Sequence, residues 1–386
     1  MTDPNVLFVS YEYGPQVSGG VARVINGLSS ALRGKLTFDV FLLQWRLALE
    51  DFSGDLFRSG LHQESFHTHY IATIKKLIQT RGYNVVHIMH SGEHTYALVK
   101  ALNACGADVK IVFSSHSIAK HEQLIRNSSD RDLFHEDYLL KNSHHIHLLS
   151  ETAKSWLLKA YPELAPAADF HIIPNAIDCQ AAAERAGRPA KPGKIVLCMS
   201  RWSHGKGLEY LLDAIPHVVR ELPDVRFIIA GRKESSWENE VLAYVKKIDA
   251  KIEKLRAFIE VFGWITDAEK DVLFAKASVV VMPSEIEYFP YSVLEPAAEK
   301  VALVSSRISG AQEILVENRD CLMYETTDAV ELAGKIVQLL RDPDMAAALA
   351  AHAFEQVASR YAWDRVSDMY CDLYTRVVTN KELAEA

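Results

Sequence analysis

The stretch PSEIEYFPYSVLEPAAEKVALVSS, which starts at Pro283, places two carboxylates, Glu287 and Glu295, eight residues apart across a tight FPY turn. An apolar run, SVVVMPS (278–284), comes just before the turn, and a helix can begin near Ser292. Glu287 then lies on a loop and Glu295 one turn into the helix. The first backbone N–H groups of that helix, around Phe289 to Ser292 (those of Phe289, Tyr291 and Ser292, since Pro290 has none), face outward without intrahelical acceptors. Pro296 is tolerated in or near a first turn. A carboxylate accepts hydrogen bonds from two vicinal hydroxyls, the arrangement that sugars and ribose present. The competing reading makes Glu295 no more than a favourable charge near a helix N-terminus.

Three other places carry residue types suited to the same kind of ligand. In CMSRWSHGKGLEYLLDAI, Arg201 and Lys206 flank a strand-to-helix turn, where two cations beside a helix N-terminus make a diphosphate site. The bland alternative is two solvated surface cations. In YEYGPQVSGGVARVINGLSSAL, Gly19 and Gly20 precede an amphipathic helix, so the backbone can approach an anion there, although a plain turn reads equally well. In SSHSIAKHE, His116 stands where a strand ends, either aimed at a ligand or satisfied structurally.

Other chemistries find less support. The chain has neither G-x-G-x-x-G nor G-x-x-x-x-G-K-[ST], which argues against a dinucleotide cofactor and a nucleoside-triphosphate loop. DRD (130–132) copies the D-x-D metal motif of some sugar transferases but follows RNSS rather than an apolar strand. Of 16 histidines, 13 precede residue 187, yet neither HTH (67–69) nor HHIH (144–147) has zinc-finger or H-E-x-x-H spacing. The expectation is no metal and no cofactor. The five scattered cysteines form no C-x-x-C pair and suit free thiols in a reducing compartment.

The elements that must position these residues are short β-branched runs alternating with helical patterns. They include VLFVS (6–10), VVHIM (85–89), KIVFSSH (110–116), KIVLCMS (194–200), VRFIIAG (225–231), SVVVMPS (278–284) and ALVSS (302–306). Unbroken apolar runs separated by helices predict parallel strands buried on both faces, a doubly wound α/β architecture occurring twice. PNAIDCQAAAERAGRPAKPGK (174–194) reads as the linker between the two halves. Ligands of such sheets bind beyond the carboxyl ends of the strands, so two such domains facing a central cleft would share one. The 386 residues, 49% hydrophobic and 24% charged with a net charge of −8, fit an ordinary globular protein that does not bind nucleic acid. No run reaches the ~18–20 apolar residues of a membrane span. YIATIKKLIQTRG (70–82) is a basic amphipathic candidate for membrane contact, against the blander reading of a solvated helix face.

Taken in order, SGG before a helix, HS after a strand, IIPNAID at the hinge, SRWSHGKGLEYLLDAI, VRFIIAG, VFGWIT, PSEIEYFPYSVLEPAA and SGAQEIL run nearly the whole chain. In this order and spacing the chain resembles the retaining, nucleotide-sugar-dependent glycosyltransferases of family 4, which have the two-domain GT-B fold. The resemblance implies an amino-terminal Rossmann-like acceptor domain, 1–175, with a carboxyl-terminal helix, 363–380, returning to it. It implies a donor domain over 176–362. Arg201 and Lys206 would hold the donor diphosphate, and Glu295 the nucleotide ribose. Glu287 and the Phe289–Pro290–Tyr291 backbone would hold the transferred sugar. Gly20 would approach the diphosphate from the first domain, His116 would lie near the scissile bond, and the backbone near Ile265 would meet the base. The reaction implied is transfer of a sugar from a UDP- or GDP-sugar to a hydroxyl acceptor (a sugar, lipid-linked sugar or small molecule), without metal. A cytoplasmic location follows, with peripheral contact at the inner membrane face left open. Rival readings are a nucleotide-sugar epimerase or phosphorylase of the same fold, a non-catalytic nucleotide-sugar-binding subunit and, more distantly, an NAD-dependent dehydrogenase. Pro290, Lys300 and Cys321 stand where the family usually has glycine, and related glycogen-synthase-like enzymes often carry lysine near Gln16.

Overall fold

The computed structural model describes residues 3–13, 19–43, 56–58, 63–126, 133–166, 168–179, 193–233 and 239–379. Gln16, the DRD motif and most of the linker (180–192) lie outside the described residues. The chain forms two compact units, one of residues 1–176 with 363–386, the other of residues 177–362.

The first unit holds a seven-stranded sheet. Its strands are β1 (Asn5–Ser10), β2 (Thr37–Leu42), β3 (Leu56–Arg58), β4 (Val85–Ile88), β5 (Lys110–Ser115), β6 (His145–Leu148) and β7 (Asp169–Ile172), in the order β3-β2-β1-β4-β5-β6-β7. The second holds six: β8 (Ile195–Met199), β9 (Arg226–Ala230), β10 (Ile259–Phe262), β11 (Val279–Met282), β12 (Ala302–Ser306) and β13 (Leu322–Tyr324), ordered β10-β9-β8-β11-β12-β13. Every pairing is parallel. The order reverses between β1 and β4 in one unit and between β8 and β11 in the other, and those reversals are the switch points where doubly wound sheets bind ligands.

Burial explains why these runs become strands. Val279, Val280, Val281 and Met282 of β11 are all buried, with β8 on one side and β12 on the other. Runs so covered on both faces show no polar alternation. The helix Leu208–Glu221 then lays Leu208, Leu211, Leu212, Ile215 and Val218 against that sheet. In the first unit the carboxyl-terminal helix Trp363–Thr379 buries Tyr370 and Tyr374, and the Trp363 ring fills the space that any side chain at Gly27 would need. The segment 70–82 belongs to the helix Gln63–Arg81, whose Tyr70 and Ile74 are fully buried, so that side of it is committed to the fold. No helix among the described residues is long and apolar enough to cross a membrane.

Candidate active site

In the second unit the loop after β8 and the loop after β11 are locked together at the switch point. Gly205 O accepts a hydrogen bond from Glu285 N at 2.9 Å, and Tyr210 Oη donates to Glu285 Oε1 at 2.9 Å. Gly207 is left-handed, with φ 66°, and a Cβ there would lie 1.8 Å from Pro283 O. A Cβ on Gly310 would likewise lie 2.1 Å from Glu287 O. Both positions therefore need glycine because backbone meets backbone, and the close approach fixes where Lys206 and Glu287 project.

Lys206 Nζ and Glu287 Oε1 are 2.7 Å apart, with side chains only 20% and 17% exposed. The sequence leads us to expect them on neighbouring parts of one ligand; the structure pairs them with each other. Arg201 is exposed, and its side chain has no partner among the described residues. Glu295, 8% exposed, is held by Lys270 Nζ at 3.0 Å, and Lys270 also reaches Asp267 at 2.9 Å. Lys270 escaped sequence reasoning because only the fold brings the helix Asp267–Lys276 to the helix Tyr291–Ala298.

That second helix begins one residue before Ser292, with Pro290 at its N-cap and no side chain capping it. Its leading N–H groups are those that point at an anion. Pro290 has φ −78° and ψ 128°, so the family's glycine is not required here by backbone conformation. Phe289 is buried with its ring 5.2 Å from that of Tyr361. Ile265 is half-buried just ahead of Thr266, which caps the helix Asp267–Lys276 in a reciprocal box with Glu269. Arg201, Lys206, Glu287, Phe289, Pro290, Tyr291, Ser292 and Glu295 thus stand on two adjoining loops and one helix start. Lys300, another position of family glycine, adopts φ 53° and closes this helix: its N–H reaches Ala297 O at 3.2 Å and that of Val301 reaches Pro296 O at 2.9 Å.

In the first unit, Gly19 and Gly20 open the helix Gly20–Ala31, but a carboxylate already occupies that end: Glu12 Oε2 accepts from Ala22 N at 3.0 Å. A Cβ on Gly19 would collide with that oxygen, whereas one on Gly20 meets nothing within 4 Å. His116 follows β5. Burial, then the nearby His147 and His90, holds its pKa well below the ordinary imidazole range, so the ring is neutral at pH 7. Its Nε2 is buried without a partner among the described residues. His90, which follows β4 at the switch point, was missed in the sequence. It too is buried, its pKa is pushed down to about 4, and neither ring nitrogen has a partner among the described residues. The signal was the histidine directly after VVHIM. Behind these rings a buried chain runs from Tyr374 Oη to His87 (2.7 Å), Ser114 (2.7 Å) and His147 (2.6 Å), ending on Ile173 O (2.8 Å). Of HHIH, His144 accepts from Ile111 N, and His145 meets Asp169 and His171.

Comparison with known proteins gives concordant matches. A family model of glycosyl transferases group 1 matches residues 193–342, and one of Glycosyltransferase Family 4 matches residues 18–181. The glycogen synthase of Mycobacterium tuberculosis is 23% identical over 413 residues, covering 96% of this chain and 94% of that protein. The phosphatidyl-myo-inositol mannosyltransferase of Mycolicibacterium smegmatis is 25% identical, over 79% of this chain and 74% of its own. Among solved structures, sucrose-phosphate synthase from Thermosynechococcus elongatus superposes with a TM-score of 0.80 at 19% identity, covering 98% of this chain and 100% of that one. HepE from Anabaena, in complex with UDP and glucose, gives 0.74 at 16% identity, over 96% and 99%.

Proposed function

The chain belongs to the family 4 glycosyltransferases, of GT-B fold, and we propose that it moves a sugar from a nucleoside-diphosphate sugar to a hydroxyl acceptor with retention at the anomeric carbon. The observation that carries this reading is the gathering of Arg201, Lys206, Glu287, Glu295 and an uncapped helix start at the β8/β11 switch point of one unit. Cations and helix dipole suit a diphosphate, and the carboxylates suit the hydroxyls on either side of it. The neighbour bound to UDP and glucose is in keeping with a nucleotide-sugar donor, UDP- or GDP-linked.

In this mechanism residues 177–362 bind the donor and the first unit binds the acceptor. Glu295 takes the ribose hydroxyls and the backbone near Ile265 meets the base. Glu287, with the backbone from Phe289 to Ser292, orients the transferred sugar. As the bond between the anomeric carbon and the diphosphate oxygen breaks, charge builds on the leaving group. Arg201, Lys206 and the helix N-terminus stabilise that charge in place, the kind of preorganised electrostatics that dominates catalysis. The acceptor oxygen bonds to the same face of the carbon, and its proton passes to the departing diphosphate. No metal and no cofactor is needed, because fixed cations do the neutralising. In the first unit, proposed to bind the acceptor, Glu12 closes off Gly19 while Gly20 stays open, and His116 offers a neutral imidazole Nε2 to a hydroxyl.

A thermal-shift panel of UDP- and GDP-sugars, followed by turnover with hydroxyl acceptors, tests the proposal. A donor at 100-fold its dissociation constant stabilises the unit that binds it by about 2.7 kcal/mol. Nucleoside diphosphate release that rises with acceptor supports transfer. A panel with no shift for any nucleotide sugar overturns the reading.

A further inference from the structure

The first unit carries a cluster that the transfer chemistry does not use. Strand pairing sets His145 of β6 directly opposite Asp169 of β7, and His147 opposite His171. His171 therefore lies two residues beyond Asp169 on the same face of the sheet. Four atoms of three residues converge: His145 Nδ1 is 2.9 Å from Asp169 Oδ2 and 3.2 Å from His171 Nε2, and His171 Nε2 is 3.4 Å from the other carboxylate oxygen, Asp169 Oδ1.

Those separations match the edges of a coordination polyhedron. Zinc holds imidazole nitrogen and carboxylate oxygen at ~2.0–2.2 Å, so neighbouring ligand atoms lie about 2.9–3.5 Å apart. Two nitrogens 3.2 Å apart, each about 2.05 Å from a shared centre, subtend about 103° there, close to tetrahedral. The ring centroids are 5.3 Å apart, wider than the nitrogens by 2.1 Å, so the two rings diverge from the facing atoms as ligands of one ion do. Hydrogen bonds alone can join each imidazole to Asp169, with His145 Nδ1–H donating to Oδ2 and His171 Nε2–H directed at Oδ1, but two N–H groups then face each other at 3.2 Å with no acceptor between them, whereas a cation at the centre serves all three residues at once. Asp169 is 45% exposed, which leaves a side open to water as the fourth ligand.

We propose that His145, Asp169 and His171 form a binding site for a single Zn2+-class divalent ion that clasps edge strand β7 to β6. The donor set of two imidazoles and one carboxylate suits zinc, cobalt(II) and nickel(II) rather than magnesium or calcium. The site stands at the amino ends of β6 and β7, while His116 follows the carboxyl end of β5, so the ion takes no part in transfer. Lys110 and Arg376 lie near enough to act on the two imidazoles, and their charges moderate the affinity without removing the ligands.

Calorimetry with Zn2+ and absorption spectroscopy with Co2+, on the full chain after chelation and dialysis, test this. The expected results are one ion per chain and a weak cobalt d–d spectrum with no thiolate charge-transfer band. Zn2+ at ~100-fold its Kd raises the Tm of the first unit by about 5–10 °C. Asp169→Asn, at an exposed position that leaves folding intact, abolishes the ion and the Tm shift, as does His171→Asn. Cys105→Ser, which removes an exposed thiol, changes neither. Undiminished binding in Asp169→Asn, a thiolate band, or no binding in the parent chain overturns the site. None of these readouts depends on turnover, so the site and the proposed transfer stand or fall separately.

Discussion

Replacing Glu287 and Glu295 by glutamine, one at a time, should have opposite effects on a bare nucleoside diphosphate. Glu287 faces Lys206 at 2.7 Å in a setting where both side chains are about four-fifths covered. Removing its charge keeps the shape and leaves the ammonium with a neutral partner. A hydrogen bond to a charged group contributes roughly 1.5–3 kcal/mol and one between neutral groups roughly 0.5–1.5, so the pair weakens by about 1–2 kcal/mol. Lys206 then engages a diphosphate more readily, and affinity for the nucleoside diphosphate stays level or rises, by about 30-fold at most. Turnover nonetheless falls at least tenfold, because the transferred sugar loses its carboxylate partner. Glu295→Gln keeps one acceptor oxygen and loses one charge-assisted bond to a ribose hydroxyl. Both nucleoside diphosphate and donor should bind ~10–150-fold more weakly. Folding loses about 1–2 kcal/mol as the Lys270–Glu295 pair weakens, with Lys270 keeping Asp267 at 2.9 Å. Isothermal calorimetry with nucleoside diphosphate and donor, alongside turnover, reads all of this. If both substitutions weaken the bare nucleoside diphosphate equally, or neither touches the donor, the pair is a structural brace for the turn and the division of the ligand is wrong.

Arg201→Ala removes an exposed side chain with no partner among the described residues, so stability should hold within about 0.5 kcal/mol while turnover drops at least tenfold; unchanged kinetics would dismiss it as a phosphate ligand. Lys206→Ala strands Glu287 and should cost about 1–3 kcal/mol in urea unfolding, with a larger loss in turnover than in folding. Acid should weaken the first unit: burial depresses His87, His90 and His116, His90 to about 4. Unfolded imidazoles take up protons below ~6.5 while these folded ones do so only at lower pH, His90 at about 4, so stability is complete above ~6.5 and falls as pH drops below it. The slope is at most about 1.4 kcal/mol per pH unit for each ring, and urea midpoints equal at pH 7 and pH 5 would refute it. Lys300→Gly should raise the stability read from urea unfolding by about 0.5–1 kcal/mol, because φ 53° burdens a side chain and the Lys300 ammonium above the Phe354 ring returns only part of that cost; a lower midpoint would mean the cation–π contact dominates.

What the sequence revealed follows from what a local pattern can encode. Central strands such as β1, β8 and β11 announced themselves as apolar runs, because a parallel strand covered on both faces carries no polar alternation, whereas β2 (TFDVFL), β6 (HIHL), β7 (DFHI) and β10 (IEVF) carry polar residues inside the run. β3 (LFR) and β13 (LMY) did not announce themselves, since three residues at a sheet edge are too few to display a period. That Arg201, Lys206, Glu287 and Glu295 would gather at one place was legible because a parallel sheet puts such residues just beyond strand ends, and runs such as SVVVMPS mark those ends. Their partners were not. Lys206 meets Glu287 across 81 residues, Tyr210 meets Glu285 across 75, and Lys270 meets Glu295 across 25. The convergence of His145, Asp169 and His171 was hidden for the same reason, since it depends on the register of β6 against β7. HHIH marks the right segment, but zinc-finger and H-E-x-x-H spacings describe ligands along one chain segment and are blind to ligands paired across strands.

In the proposed transfer, the pairing of Lys206 with Glu287 also bears on how a diphosphate would be held by side chains rather than by a metal. A lysine side chain left loose in solvent loses up to ~2 kcal/mol of rotamer freedom when it settles on a ligand. Here Glu287 already fixes the ammonium, and Glu287 is itself fixed by the approach of Gly310 to its carbonyl oxygen. The loop that carries Lys206 is held in turn by Gly205 O and by the contact of Gly207 with Pro283. That ordering cost therefore falls on folding rather than on ligand binding. The carboxylate that holds the cation also competes for it, so a neutral ligand gains nothing by displacing it, whereas a diphosphate brings enough negative charge to share it. Charge that grows on the leaving group during transfer strengthens the ligand's side of this competition at the moment of bond breaking. Lys206 thereby favours the transition state over the bound donor, which is the condition for a binding contact to become a catalytic one. Arg201 lacks such a tether, so its contribution carries the entropy cost that Lys206 avoids, and of the two cations Lys206 is the one the fold has prepared.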